Sequence, residues 1–358
     1  MSEEIYDALV VGGAVSGSRT AELLAKEEKK VLLVEDNLTI GHPCKCTGLV
    51  SWRILELLPH LPKSIIMNSL KKAKFFSPNG SSLEMDASYP VYLLNRPGLD
   101  KFIFDSAVNE GAETRIGERF VSYRKMNGML KVMTNNGVFH TKLLIGADGA
   151  NSTVGREAGL KYPSTCQVGV QTTVEGDFEN AVELWFGSKL SPNFFAWLAP
   201  EGNGKARIGL ATNPHPGKYY QDFLTKRIGK VCRPDVGGII RPGLMEKTSA
   251  DSVMVVGDAA CQIKPYSGGG INYSLIGAQF CTDAAVKALD NNNFSESFLR
   301  KNYDNEWKKE LGPGIKRGMF LYKLLTSRDS VLNGLFAVGK LTTRFFKNLD
   351  MDLIKVFV

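Results

Sequence analysis

The sequence predicts an α/β protein with a Rossmann-like dinucleotide-binding domain, a strand-rich second domain and a helical C-terminal part. Three observations lead there. Residues 6–36 read as an apolar strand, a glycine-rich turn, a helix and a second apolar strand, the pattern that opens a βαβ-type unit. Residues 166–250 are a succession of short apolar runs (QVGVQTTVEG, AVELWFG, FFAWLAPEG, KARIGLA) separated by Gly, Pro and Asn. From Ser295 onward the pattern is helical and basic.

Taken in order, 6–11 is the first strand, 18–29 a helix with Ala21, Leu24 and Ala25 inward, and 31–34 a strand ending at Glu35. The chain is irregular over 42–51. A helix follows at 99–109, then strands near 119–123 and 130–134. Asn135-Asn136-Gly137 turns the second of these into a hairpin with 139–145. A short buried strand at 252–256 precedes a long helix at about 270–289. There is no internal repeat.

At 358 residues the chain has room for two or three domains, and 43% hydrophobic with 23% charged residues is ordinary for a folded protein. Thirty-six glycines, one residue in ten, point to many close backbone approaches. No run nears the roughly 18 apolar residues of a membrane-spanning helix, and the acidic start MSEEIYDALVVGG is unlike a secretory signal. A cytoplasmic protein is expected. Six scattered cysteines contain no CxxC pair. Cys44 and Cys46, although beside His42, lack a nearby fourth ligand, so no metal is expected.

Gly12-Gly13-Ala14-Val15-Ser16-Gly17 fits G-x-G-x-x-G with Ala14 at the second glycine position. Gly12 permits the sharp turn out of the strand and Gly17 the close packing of helix on sheet. Ala14 adds a methyl where the backbone would approach a diphosphate. A glycine-rich turn by itself is weak evidence. Glu35, 23 positions after Gly12 at the end of the next strand, strengthens it, because a carboxylate there accepts hydrogen bonds from a ribose.

Two further fragments decide which dinucleotide. Leu144-Ile145-Gly146-Ala147-Asp148-Gly149 places Asp-Gly after a buried strand; Val255-Val256-Gly257-Asp258 places a second acid after another, followed by Pro265 and Gly268-Gly269-Gly270. Each alone is compatible with an ordinary turn. Together and in this order they resemble the para-hydroxybenzoate hydroxylase-type flavoprotein superfamily, which implies FAD. A helix beginning near Ile271 would then turn its positive end toward the N1–C2=O edge of the isoalloxazine. A second glycine-rich βαβ unit and a CxxxxC pair are both missing, so a tightly bound nicotinamide is not expected.

Three stretches carry a narrower resemblance, to the archaeal geranylgeranyl reductase family. They are Gly41-His42-Pro43-Cys44-Lys45-Cys46-Thr47-Gly48-Leu49-Val50-Ser51, Phe195-Ala196-Trp197-Leu198-Ala199-Pro200 (Phe195 and Ala199 where the family has Tyr and Phe), and Lys264-Pro265-Tyr266-Ser267-Gly268-Gly269-Gly270-Ile271. Asn95-Arg96-Pro97 with Leu99-Asp100, and Asp350-Met351-Asp352, add to it. The resemblance implies FAD contacts at Gly12, Ala14, Gly17, Glu35, Cys46, Thr47, Leu49, Arg96, Val121, Asp258, Gly270 and Ile271. Val121 rests on spacing and a strand assignment. It implies an FAD-binding domain from 1–75, 96–160 and 250–290, a substrate domain from 76–95 and 163–249, and a helical C-terminal region over 291–358. The implied chemistry is reduction of isolated C=C bonds in prenyl lipids: a hydride from reduced flavin, a proton from the other side, and carbocation character between. Trp197 and Tyr266, with Phe194 and Phe195, are candidates to line an apolar tunnel, though ordinary sheet packing explains the phenylalanines equally well. Cys46 is the candidate catalytic residue, as a proton donor or shape element, against the plainer reading of a buried structural cysteine. The electron donor is ferredoxin-like or NAD(P)H. The alternatives are a monooxygenase of a small aromatic compound, a reductase of a prenylated quinone tail, and a non-catalytic electron-transfer flavoprotein.

The net charge of +7 is concentrated at the end: eight Lys/Arg against three Asp from Ile315 onward leave that tail at +5. The rest is nearly neutral, which argues against nucleic-acid binding. Phe320, Leu321, Leu324, Leu325, Leu332, Leu335, Phe336, Leu341, Phe345, Phe346, Leu353 and Ile354 alternate with those basic residues. Such amphipathic helices either pack on the domain or lie on anionic lipid, and peripheral binding to the inner face of the cell membrane is the expectation.

Overall fold

Buried apolar runs joined through helices place five parallel strands at the centre of the first sheet, in a computed structural model that describes residues 4–346. Numbered along the chain, β1 (Ile5–Val11), β2 (Val31–Glu35), β6 (Glu113–Ile116), β9 (Val138–Gly146) and β16 (Val253–Val255) lie in the order β6-β2-β1-β9-β16, all parallel. β15 (Ser249–Ala250) closes the edge, while β7 (Phe120–Met126) and β8 (Met129–Thr134) form an antiparallel extension that pairs with β9. The Asn135-Asn136-Gly137 turn joins β8 to β9, with Met133 opposite Val138.

Helix α1 (Val15–Lys26) packs with α3 (Arg96–Asn109) and α6 (Ile271–Asp290) on one face of this sheet. Ala8, Val10, Ala21, Leu24, Ala284 and Trp307 belong to the core between them. Leu9, Val11, Phe120, Leu130 and Val132 fill the other face, under the β7–β8 hairpin. Observed α1 begins three residues before the expected 18–29 helix and ends three earlier, because the helix starts as soon as the glycine turn ends. Glu28, at φ 57°, lies beyond its last turn. Asn95, whose Oδ1 accepts from the Gly98 N–H, and Pro97 start α3 at Arg96 rather than Leu99. Short helices α2 (Ile54–Leu57) and α4 (Thr153–Glu157) complete this part.

The second sheet has eight strands: β14 (Val236–Ile240), β10 (Gln167–Glu175), β13 (Lys205–Thr212), β12 (Ala196–Gly202), β11 (Ala181–Trp185), β4 (Ile66–Phe76), β5 (Ser82–Leu94) and β3 (Leu49–Ser51), in that spatial order. It therefore draws in β3 and β4, which the division at residue 75 assigned to the first domain. The pairing responsible is β4 parallel to β11, Lys72 beside Ala181, a contact too distant in sequence for local pattern to reveal. Helix α5 (Pro216–Ile228) interrupts the stretch expected to be strand-rich. It buries Tyr220, Phe223 and Leu224 against the outer face of the sheet, begins with Pro216 and ends at left-handed Gly229.

The C-terminal part is helical as expected: α7 (Glu296–Leu299), a π turn at Arg300–Asp304, α8 (Asn305–Leu325) and α9 (Asp329–Phe346). Among the described residues no helix is long and apolar enough to cross a membrane. Lys347, Asp350, Met351, Asp352, Leu353, Ile354 and Lys355 lie outside the described residues, as do the side chains of Lys340, Leu341, Arg344, Phe345 and Phe346.

Candidate active site

The turn from β1 into α1 needs its glycines. Gly12 sits at φ +107°, and a methyl there would lie 2.4 Å from the Ala147 carbonyl oxygen. A methyl on Gly17 would lie 1.8 Å from the Gly12 oxygen. Ala14 is the N-cap of α1, with no side chain capping the helix, which leaves the leading N–H groups for an anion. Glu35 closes this corner: its Oε2 accepts from Gly13 N at 2.6 Å and its Oε1 from Asn37 N at 2.9 Å. Burial and neighbouring Asp36 push its pKa up, against the pull of the Gly13 and Asn37 donors.

Asp148, at the end of β9, caps α4: its Oδ2 accepts from Thr153 N at 2.7 Å and Val154 N at 3.0 Å. Its Oδ1 is buried without a partner, and burial raises its pKa. On the opposite side of the cleft Arg96 forks onto Asp100, Nη2 to Oδ1 at 2.8 Å and to Oδ2 at 3.1 Å. Burial alone would lower the Arg96 pKa; Asp100, with Cys46 and Cys44 nearby, outweighs it and holds the guanidinium charged. The Arg96 Nε is buried and unpaired.

The 41–49 segment crosses between the two sheets. The Cys46 Sγ accepts from Gly48 N at 3.3 Å, and the Cys44 thiol donates to the Cys46 carbonyl at 3.6 Å, with burial raising the Cys44 pKa. Both cysteines are free thiols. Thr47 donates to Gln171 Oε1 at 2.7 Å, and the Arg207 guanidinium donates to the carbonyls of Thr47 and Leu94. Gln171 and Arg207 thus tie this segment to β10 and β13.

The late loop closes the site. Gly268 N donates to Lys264 O at 2.8 Å, and Lys264 N to Gly269 O at 3.0 Å. Gly270 precedes α6, again with no side-chain cap, and a methyl on it would lie 2.8 Å from Asp258 Oδ1. The Asp258 side chain lines the cleft; the protein around it raises its pKa, and Arg96 partly counters this.

Most of these groups line one cleft of about 780 Å³, within the roughly 300–1,000 Å³ of small-molecule sites. It holds Gly12, Ala14, Glu35, Cys46, Thr47, Leu49, Arg96, Asp258, Gly270, Ile271, Trp197 and Tyr266. The cleft continues over the second sheet, from Ile240 on β14 to Phe75 on β4. Five inter-strand steps of about 4.8 Å make that floor about 24 Å across. Trp197, Leu184 and Phe75 form one row across β12, β11 and β4. A methyl on Gly209 would lie 2.8 Å from Trp197 Cζ2, so this glycine gives the indole its space. The indole Nε1 is buried without a partner.

Two expected residues stand apart. Gly17, in the first turn of α1, is a packing residue against the Gly12 carbonyl, outside the cleft lining. Val121 is 49% exposed on β7; strand alternation buries Phe120 and turns Val121 outward, and Arg119 and Phe120 line the cleft instead. Sequence reasoning missed Gln171, Arg207 and Ile240. Their only local signal was a polar residue at an otherwise apolar strand position for the first two, and none for Ile240.

Two uncapped helix N-termini facing one cleft, glycines that no methyl could replace, and an acid at the end of β2 fit a dinucleotide with a flat ring system. A family model described as an FAD binding domain matches residues 5–198. A digeranylgeranylglycerophospholipid reductase from Methanosarcina acetivorans is 30% identical over 343 residues, covering 89% of this chain and 84% of that one. The chain belongs to the digeranylgeranylglycerophospholipid reductase family. Its cofactor is FAD and it is an oxidoreductase. The crystal structure of a geranylgeranyl bacteriochlorophyll reductase-like protein from Thermoplasma acidophilum superposes on this reductase with TM-score 0.87 at 26% identity, covering 95% of this chain and 92% of that one. A p-nitrophenol 4-monooxygenase from Pseudomonas putida shares the fold alone, with TM-score 0.74 at 16% identity and 98% of both chains covered.

Proposed function

We propose that this protein is an FAD-dependent reductase of isolated C=C bonds in the geranylgeranyl chains of archaeal membrane lipids or their precursors. One observation carries the reading: the nucleotide end of the cleft is continuous with a long apolar floor, suited to an extended hydrocarbon rather than a compact ring.

Gly12, Ala14 and Glu35 would hold the nucleotide half of FAD, and Cys46, Thr47, Leu49, Arg96, Asp258, Gly270 and Ile271 the flavin half. When bound and reduced, FAD supplies a hydride to one alkene carbon. No carbonyl polarises such a bond toward hydride, so the proton must add to the other carbon first, and positive charge develops on the substrate before the hydride reaches it. Trp197, with Phe194 and Phe195 beside it, offers aromatic faces to that charge, and the apolar floor keeps water from it. Tyr266 borders the same space. Cys46 is the candidate to deliver the proton from Sγ, which the Gly48 N–H orients.

A reductase needs a redox partner; a ferredoxin-like protein and NAD(P)H are the two candidates. Peripheral attachment to the inner, anionic face of the cell membrane fits the C-terminal helices. α8 leaves Phe320 69% exposed, and Val331, Leu335 and Val338 of α9 are exposed while Leu332 and Phe336 are buried. Co-sedimentation with anionic but not neutral vesicles is the expected behaviour.

The test of the reaction is direct. The FAD-loaded protein, reduced with dithionite, is incubated with a geranylgeranylated glycerophospholipid, and mass spectrometry follows the gain of hydrogen pairs. No gain from a verified reduced flavoprotein overturns the reading, and oxygen uptake with a small aromatic compound would redirect it to hydroxylation.

A further inference from the structure

The β4–β5 pairing shifts register twice, by one residue between Ile66 and Asn68 and more widely between Leu70 and Lys72. Leu70 lies opposite Val91, yet Lys72 lies opposite Asp86, so the single residue Lys71 faces four residues of β5, 87–90, that have no partner in β4. Bulges of this kind bend a sheet and open its surface. Lys71, Lys72 and Ala87 line the cleft here, at the end remote from the late glycine loop. Lys71 is exposed and shares strand parity with Ala73 and Phe75, which also line the cleft. Neither the Lys71 nor the Lys72 ammonium has an ion pair or hydrogen bond among the described residues. Lys74, by contrast, is held by Glu179 at 2.5 Å and Glu84 at 3.2 Å. Two cations with no direct ion pair at the rim of an otherwise apolar groove, Lys72 across from Asp86 and acting on Glu179 only at a distance, are a place for an anion.

We infer that Lys71 and Lys72, at the β4–β5 bulge, form a phosphate subsite for the headgroup of the lipid whose prenyl chain lies along the cleft floor. The inference rests on the proposed reductase function. Lys71 stands four residues along β4 from Phe75, which lies in the row with Leu184 and Trp197. At about 3.3 Å per residue that is about 13 Å from the aromatic row. An apolar floor holds a hydrocarbon without fixing its position along the groove. A phosphate bound at the rim would set that position, and so decide which double bonds reach the flavin.

The test uses oxidised, FAD-loaded protein, with binding followed by the change in flavin absorbance. Geranylgeranyl monophosphate and geranylgeraniol are titrated into the wild type, K71Q/K72Q and, as a control lysine already held by Glu84 and Glu179, K74Q. The subsite predicts that the wild type prefers the phosphorylated chain, that the preference falls with rising salt, and that K71Q/K72Q lowers it about tenfold while K74Q retains it. Inorganic phosphate should compete with geranylgeranyl monophosphate but not with geranylgeraniol. Equal wild-type affinity for the two chains, or an unchanged preference in K71Q/K72Q, overturns the subsite. Inorganic phosphate that binds at these lysines without displacing the phosphorylated chain also overturns it, in favour of a free-anion site. Failure of the reduced wild type to hydrogenate either chain sinks the reductase reading alone, because these affinities are measured without turnover.

Discussion

Replacing Arg96 with Met separates the cofactor role of this residue from its structural one. Its side chain is 11% exposed and that of Asp100 is 7% exposed. The R96M variant therefore leaves a largely buried carboxylate unpaired. Breaking a buried pair on one side costs about 3–5 kcal/mol. Removing both charges, in R96M/D100L, replaces the pair with apolar groups of similar bulk and should recover most of that loss. FAD affinity should fall in both variants, because the guanidinium that borders the flavin segment is absent from each. Urea midpoints of the apo-proteins and FAD titrations of the same samples measure the two effects separately. A loss under about 1 kcal/mol in R96M, the range of exposed pairs, would show that the pair is solvated. Wild-type FAD affinity in the double variant would refute the cofactor role.

Three further outcomes are expected. The Asp258 pKa is raised in the fold, so the apo-protein binds more protons there than the unfolded chain does, and the group's contribution to stability falls as pH climbs from the ordinary carboxyl value through the raised one. Apo D258N should lack that slope, being more stable than the wild type at neutral pH and equal to it at low pH, while retaining FAD poorly; thermal melts across pH read this, and parallel profiles would contradict it. G17A places a methyl 1.8 Å from the Gly12 oxygen, which should cost about 1–3 kcal/mol or more as α1 is driven off β1; flavin absorbance of the purified protein should drop, and full occupancy would mean that the turn relaxes freely. W197F removes a buried donor without a partner, a gain of about 1–3 kcal/mol that offsets the thinner packing of phenyl. Its stability should stay within about 1 kcal/mol of wild type while KM for the prenyl chain rises, and a loss above about 3 kcal/mol would show that the indole N–H is satisfied.

The nucleotide end was legible in the sequence because its determinants are local. Gly12, Gly17 and Glu35 belong to one unit, and each acts on a neighbour within it or on the strand beside it. The acid-bearing strand before Gly268-Gly269-Gly270 was legible for the same reason. What stayed hidden depends on pairing. β4 reads like any other strand until β11 is placed beside it, and the bulge at Lys71 exists only in the register of β4 against β5. Helix α5 was legible in retrospect: Pro216, the spacing of Tyr220, Phe223 and Leu224, and Gly229 form a complete helix signature, lost among strand-like neighbours. Val121 failed for a different reason. The strand was right and the face was wrong, since alternation gives the inner position to Phe120.

The division between two sheets also explains how the site can be both precise and permissive. The turn at the nucleotide end is held by steric limits that tolerate no added methyl at Gly12 or Gly17. The floor is the opposite. Apart from Gln171 and the Trp197 indole, its middle is built of side chains without hydrogen-bonding groups, set over glycines at 169, 209 and 238. Dispersion and water exclusion act equally at every point along such a surface, so a repeating hydrocarbon gains nothing by stopping at one place rather than another. A substrate with several equivalent double bonds needs that indifference if more than one of them is to reach the same reacting atom. Selectivity must then come from the ends of the groove, where charge returns: the Arg96–Asp258 side on one hand and the bulge at Lys71 on the other.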